Sequence, residues 1–121
     1  MPAGPKQMLV CEEETCKRDV YIAKTNGDEV EFVNTDKSFL EFLVSRGEEI
    51  ITLPKDEQIN FGANLLVIDR SNILVPLASN KETIIELKKT GKNILILDLA
   101  ECTKGYGAAH CMTGQLLREP E

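Results

Sequence analysis

Near the C-terminus the chain reads KGYGAAHCMTGQLLREP, and within it His110 and Cys111 stand side by side. His110 is the only histidine, and Cys111 is one of four cysteines, with Cys11, Cys16 and Cys102. A thiol becomes a strong nucleophile when a neighbouring base, positive charge or hydrogen-bond donor favours its thiolate. Adjacency in sequence does not supply this. If Cys111 opens a strand, the side chains of His110 and Cys111 point to opposite faces, and His110 is a poor base for it. Gly105 and Gly107 permit unusual dihedrals and a close backbone approach to a ligand. From these residues alone, Cys111 reads either as an inert buried thiol or as a nucleophile. The spacing C-x4-C followed by long gaps does not match paired zinc ligands, so no metal site is expected.

Composition narrows the alternatives. The formal charge of −6 over 121 residues argues against nucleic acid and against an anionic membrane surface. No apolar run is long enough to span a bilayer, and the first residues lack the pattern of a secretion signal. The expected compartment is the cytoplasm, where thiols stay free and a Cys11–Cys16 disulfide has no support.

The elements that must position Cys111 follow from periodicity. PAGP reads as a flexible start and residues 7–10 as a short edge strand. CEEETCKRD reads as a loop. Residues 19–24 and 29–33 alternate as strands around Asn26-Gly27, a hairpin signal. Asn34, Thr35 or Asp36 is placed to cap a helix whose apolar face is Phe39, Leu40, Phe42 and Leu43, with Gly47 at its C-terminal stop. A strand over 49–53 ends at Pro54, and KDEQINFG is read as a polar loop.

A second unit begins with strands over 63–69 and 73–77. Ser79 and Glu82 have capping-box spacing ahead of a helix with Ile84, Ile85 and Leu87 inward and Gly91 at its end. Residues 93–99 form an apolar strand, and Met112 to Leu117 a final one. Hairpin, helix and strand thus occur twice, an approximate repeat by element order. The helices are too short to stand alone and must pack on sheets. The expected class is α/β (α+β) with mixed sheets, in a single domain over 1–121.

Two stretches carry a family resemblance. Glu101 to Arg118 resembles the pattern E-L-x-R-G-R-G-G-x-(H/R)-C-M-(T/S)-x-P-L-x-R at the end of arginine deiminases, within the wider guanidine-modifying family that includes amidinotransferases. Glu57 to Asn64, EQINFGAN, resembles the family's E-Q-x-N-x-G-(A/S)-N stretch. The likeness covers residues 19–118, with the elements between the motifs in the family's order.

The resemblance implies a pentein-like propeller of ββαβ modules around a central active site. This chain would be a C-terminal half-propeller with modules at about 7–55 and 56–118. It implies that Cys111 attacks the guanidinium carbon of an arginine-like substrate. Lys104, Gly105, Tyr106, Gly107 and Asn64 would bind the substrate, with His110 and Asn60 behind them. No cofactor is implied.

Departures are equally plain. Lys104 and Tyr106 stand where the family pattern has arginines, Ala108 replaces its last glycine, and Gly114-Gln115 replaces x-Pro. The family's acid/base histidine lies in an H-x-D motif that this chain lacks. Its carboxylate clamps have no clear counterpart, with Asp69, Asp98 and Glu101 as candidates by composition only. The implied activity is conversion of arginine to citrulline and ammonia, silent without the N-terminal half, and the expected partners are an arginine-like small molecule and that N-terminal half or a homo-oligomer. The alternative is a non-catalytic relative acting as a binding or protein-interaction module.

Overall fold

In a computed structural model, which describes residues 1–114, hydrogen bonding sorts the strands into three sheets. The elements are β1 (Pro2–Gly4), β2 (Gln7–Val10), α1 (Glu12–Thr15), β3 (Asp19–Asn26), β4 (Glu29–Ser38), α2 (Phe39–Ser45) and β5 (Glu49–Thr52). They continue with α3 (Lys55–Ile59), β6 (Leu66–Val67), β7 (Asn72–Val75), α4 (Lys81–Lys89), β8 (Asn93–Ile96) and α5 (Ala100–Thr103).

One sheet is ordered β1-β2-β5 and another β6-β7-β8. Each has an antiparallel pair followed by a parallel pair, with Leu9 beside Ile51 in the first and Leu74 beside Leu95 in the second. Among the described residues, strands β3 and β4 pair only with each other. The class is therefore α+β with mixed sheets.

The expected propeller is not what these strands make. Among the described residues no ladder joins one sheet to the next, so the sheets are open and do not close into a ring. The hairpin expected to belong to the first repeat is a separate ribbon. The antiparallel partner of β2 comes instead from Pro2–Gly4, the segment read as a flexible start. Ala3 is fully buried there, and that burial offsets the poor strand propensity of proline and glycine.

The ribbon turns as its sequence dictates. Gly27 follows Asn26 with φ +66°, at the first central position of a two-residue loop, which suits a hairpin turn. Strand β4 runs on to Ser38, so the cap of α2 is not Asn34, Thr35 or Asp36. Ser38 accepts from the Glu41 backbone, and the Glu41 carboxylate accepts from the Ser38 N–H, a complete capping box. Gly47 and Gly91 follow α2 and α4 with φ of +75° and +79°, as helix-terminating glycines do.

The core joins both three-stranded sheets. Leu9, Cys11, Ile51 and Leu53 from one side meet Leu65, Ile73 and Val75 from the other, with Ile84 and Leu87 of α4 between them. Ile85, expected inward, is about half exposed, and Thr83 is buried in its stead. The helix turns Thr83, Ile84 and Leu87 to the core, and their spacing of three and four residues marks one face. Residues Gln115 to Leu117 of the expected last strand lie outside the described residues, and Met112 sits in a turn.

Candidate active site

The segment KDEQINFG, read as a polar loop, and Ala63-Asn64, read as the start of a strand, are the framework of the site. Pro54 caps α3, and its fixed φ suits a helix start. The helix lasts little more than a turn before a tight exit. The Gly62 N–H donates to the Glu57 carbonyl at 2.7 Å, and a Cβ on Gly62 would lie 2.7 Å from that same oxygen. Only glycine fits such an approach without moving backbone. Phe61 before it takes φ +58°, a left-handed conformation costly for a bulky side chain.

This exit directs three polar side chains to three different partners. Glu57, buried, accepts from the backbone N–H groups of Glu82 and Thr83 at 2.9 and 2.8 Å. These are unpaired donors in the first turn of α4, and the carboxylate also complements the helix dipole. Burial alone would raise the Glu57 pKa. Hydrogen bonds from Thr83 and from the backbone of Glu82 and Lys81 outweigh it and hold the carboxyl below the ordinary glutamate value. The Ser79–Glu82 capping box expected from spacing is therefore not used. Asn80 is the N-cap residue, makes no side-chain cap, and leaves that role to Glu57.

Asn60 and Asn80 form a reciprocal pair. Asn60 Nδ2 donates to Asn80 Oδ1, and Asn80 Nδ2 donates to the Asn60 carbonyl, both at 2.9 Å. Asn80 is fully buried. Asn60 also donates to Ser79 Oγ at 2.9 Å. It thus braces the entry to α4, with no hydrogen bond to Cys111.

Asn64 reaches the cysteine. Its Oδ1 accepts from the backbone N–H of His110 at 2.9 Å and of Cys111 at 3.3 Å, and its Nδ2 donates to Cys111 Sγ at 2.8 Å. Because both backbone groups can only donate, they fix which end of the amide is the oxygen. The NH2 end must then face the sulfur. The link spans 47 residues of sequence and joins the two motif stretches directly.

Local packing presents the thiol. After β8, Leu97 N–H and Leu99 N–H donate to the carbonyls of Val75 and Pro76, and the chain then enters α5. Ala108 and Ala109 are buried, and Met112 N–H closes a turn on the Ala108 carbonyl at 3.0 Å. The two alanines anchor the loop while Cys111 remains exposed. Gly107 lies close behind, with a hypothetical Cβ 3.8 Å from the Cys111 Cβ. Cys111 thus stands in a turn, not at a strand start. His110 contributes its backbone N–H to the Asn64 clamp, and no hydrogen bond links its ring to the thiol.

The other expected residues divide. The Lys104 Nζ is paired with both oxygens of Glu101 at 2.7 Å, and both side chains are exposed. Gly105 donates to the Cys102 carbonyl, and Tyr106 is 89% exposed with φ +60°. Asp69 accepts from Ser71 and Asn72, and Asp98 from Ala100, so both serve local turns. The hydrogen bonds from the Asn72 side chain and the Ser71 backbone hold the Asp69 carboxyl below its ordinary range. Among the described residues no group of His, Cys, Asp and Glu is arranged to hold a metal. No helix among them is long and apolar enough to cross a membrane. An open cavity of about 530 Å³ lies at the carboxyl ends of β2 and β5, lined by Cys11, Glu12, Lys55 and Glu86 among others, and not by Cys111.

Two motif stretches are thus joined through an asparagine and an exposed cysteine, on an α+β scaffold of mixed sheets. The family model for arginine deiminase matches residues 7–118, and the chain belongs to that family. It is also similar to the uncharacterized protein YkgA of Bacillus subtilis (strain 168), at 33% identity over 76 residues. That match covers 63% of this chain and 26% of the relative, so the aligned region spans about a quarter of the curated protein.

Proposed function

We propose that this chain is the C-terminal part of an arginine deiminase-like hydrolase and supplies its nucleophile, Cys111. The Cys111 thiolate adds to the guanidinium carbon of an arginine-like substrate. The tetrahedral adduct expels ammonia and leaves an S-alkylthiouronium group on the sulfur. Water adds to the same carbon, the C–S bond breaks, and a ureido product of the citrulline type departs with the thiolate restored. The given residues hold no H-x-D motif, so in this reading the proton transfers and the carboxylate clamps on the guanidinium come from an N-terminal half. Lys104, Gly105, Tyr106 and Gly107 form the loop on the substrate side, and a reducing cytoplasm keeps the thiol free.

The observation that supports this reading best is the hydrogen bond from Asn64 to an exposed Cys111. Cys16 is also exposed and provides an internal control. At pH 6, a chloroacetamidine probe is expected to label Cys111 roughly tenfold faster than Cys16, since the amidine mimics the cationic substrate. Equal rates sink the proposal. Citrulline release after mixing with the N-terminal part of a family relative tests the complete reaction. The second reading, a non-catalytic binding module, draws on Lys104, whose charge is already paired with Glu101.

A further inference from the structure

The geometry points to Asn64 as a positioning residue that sets both the place of the Cys111 sulfur and its reactivity. This rests on the reading of Cys111 as nucleophile, and it assigns Asn64 to the sulfur, where family resemblance suggests a substrate contact. Two atoms of one side chain do two different jobs. Oδ1 gathers the N–H groups of His110 and Cys111 and so fixes the backbone that carries the sulfur. Nδ2 then donates to Sγ itself.

A donor aimed at sulfur favours the thiolate, because a negative sulfur accepts more strongly than a neutral one. The donor's orientation is not free to relax. Turning the amide over would set its NH2 group against two N–H donors and leave them unpaired. The preference is therefore built into the backbone clamp, and it acts before any substrate arrives. No neighbouring imidazole is needed for it, which accounts for how an exposed thiol beside an unengaged His110 ring can serve as the attacking group.

The mobility of the clamp is limited by what lies on either side of it. Asn64 follows the tight Gly62 exit, whose backbone contacts Glu57, and Glu57 is held by the first turn of α4. On the far side, buried Ala108 and Ala109 hold the loop. Neither motif stretch can shift alone without breaking a hydrogen bond.

The test uses the full chain and a neutral probe, iodoacetamide, so that affinity for guanidines plays no part. In Asn64→Asp one carboxylate oxygen still accepts from both N–H groups, while the other turns an anionic acceptor toward the sulfur. At one fixed pH near neutrality, Cys111 of this variant should label roughly tenfold more slowly than Cys111 of the unmodified chain. Labelling of Cys16 should not change. A wild-type rate for Cys111 in this variant overturns the inference. Should the variant not fold, nitrogen-edited NMR of the unmodified chain decides the matter. The Asn64 side-chain N–H resonances must shift when Cys111 is alkylated, and resonances indifferent to alkylation overturn it. A clear slowing without preference for the amidine probe would remove the proposed activity and leave the clamp intact.

Discussion

The two three-stranded sheets share one plan and differ in what lies between their parallel strands. From β7 to β8 the chain passes through α4 alone, whose buried face lies in the core. From β2 to β5 it passes through α1, the β3–β4 ribbon and α2. The compact crossover has its polar ends tied by Glu57 and Asn80. The elaborate one carries Tyr21, Val30 and Phe32 more than half exposed. The same sheet pattern thus supports a rigid frame in one unit and a surface extension in the other. The cysteine loop grows from the rigid unit. Cys111, proposed as the nucleophile, is thus tied through Asn64 to the more firmly braced unit.

This contrast makes unequal costs for mutation. Leu87→Ala empties a fully buried position where α4 meets the core, and should destabilise by about 2–5 kcal/mol in denaturant unfolding. A loss below 1 kcal/mol there would mean that α4 does not hold the frame. Glu57→Gln keeps one acceptor but sets an NH2 group toward an N–H of α4, with an expected loss of about 1.5–3 kcal/mol. It should also change the pH dependence. The Glu57 pKa is lowered on folding, so its stabilisation is present above the ordinary glutamate value and disappears as pH falls through the folded value. The variant's stability should therefore fall less steeply on the acid side, and parallel acid limbs would contradict this. Phe32→Ala, on the ribbon, should cost no more than about 0.5 kcal/mol. A large loss would show that the ribbon is part of the cooperative unit.

Much of the scaffold was legible in the residues themselves. Asn26-Gly27, the glycines after both long helices, and the apolar faces of α2 and α4 are local signals, and each led to the right element. Family patterns also paired the two chemically important stretches. What escaped notice depends on distant partners. Pro2–Gly4 lacks strand propensity, yet it pairs with β2 because Ala3 fits a fully buried position. The spacing of Ser79 and Glu82 matched a capping box, but a carboxylate from another helix reaches those donors first. KDEQINFG reads as a polar loop and Asn64 as part of a strand because the partners of Asn60 and Asn64 lie 20 and 47 residues away. The half-propeller of ββαβ modules was inferred from family likeness, and the strand ladders among the described residues do not make it.

The β3–β4 ribbon carries one more consequence, in the time domain. Among the described residues it has no strand neighbours beyond its own two members, and its apolar side chains at Tyr21, Val30 and Phe32 meet solvent. A two-stranded hairpin on its own is marginally stable in water. Its backbone amides can therefore exchange with solvent deuterium through brief local opening, while those of β7 and β8 wait for the whole molecule to unfold. Two clocks of this kind within one small chain would let the ribbon rearrange many times over without disturbing the frame that holds Cys111.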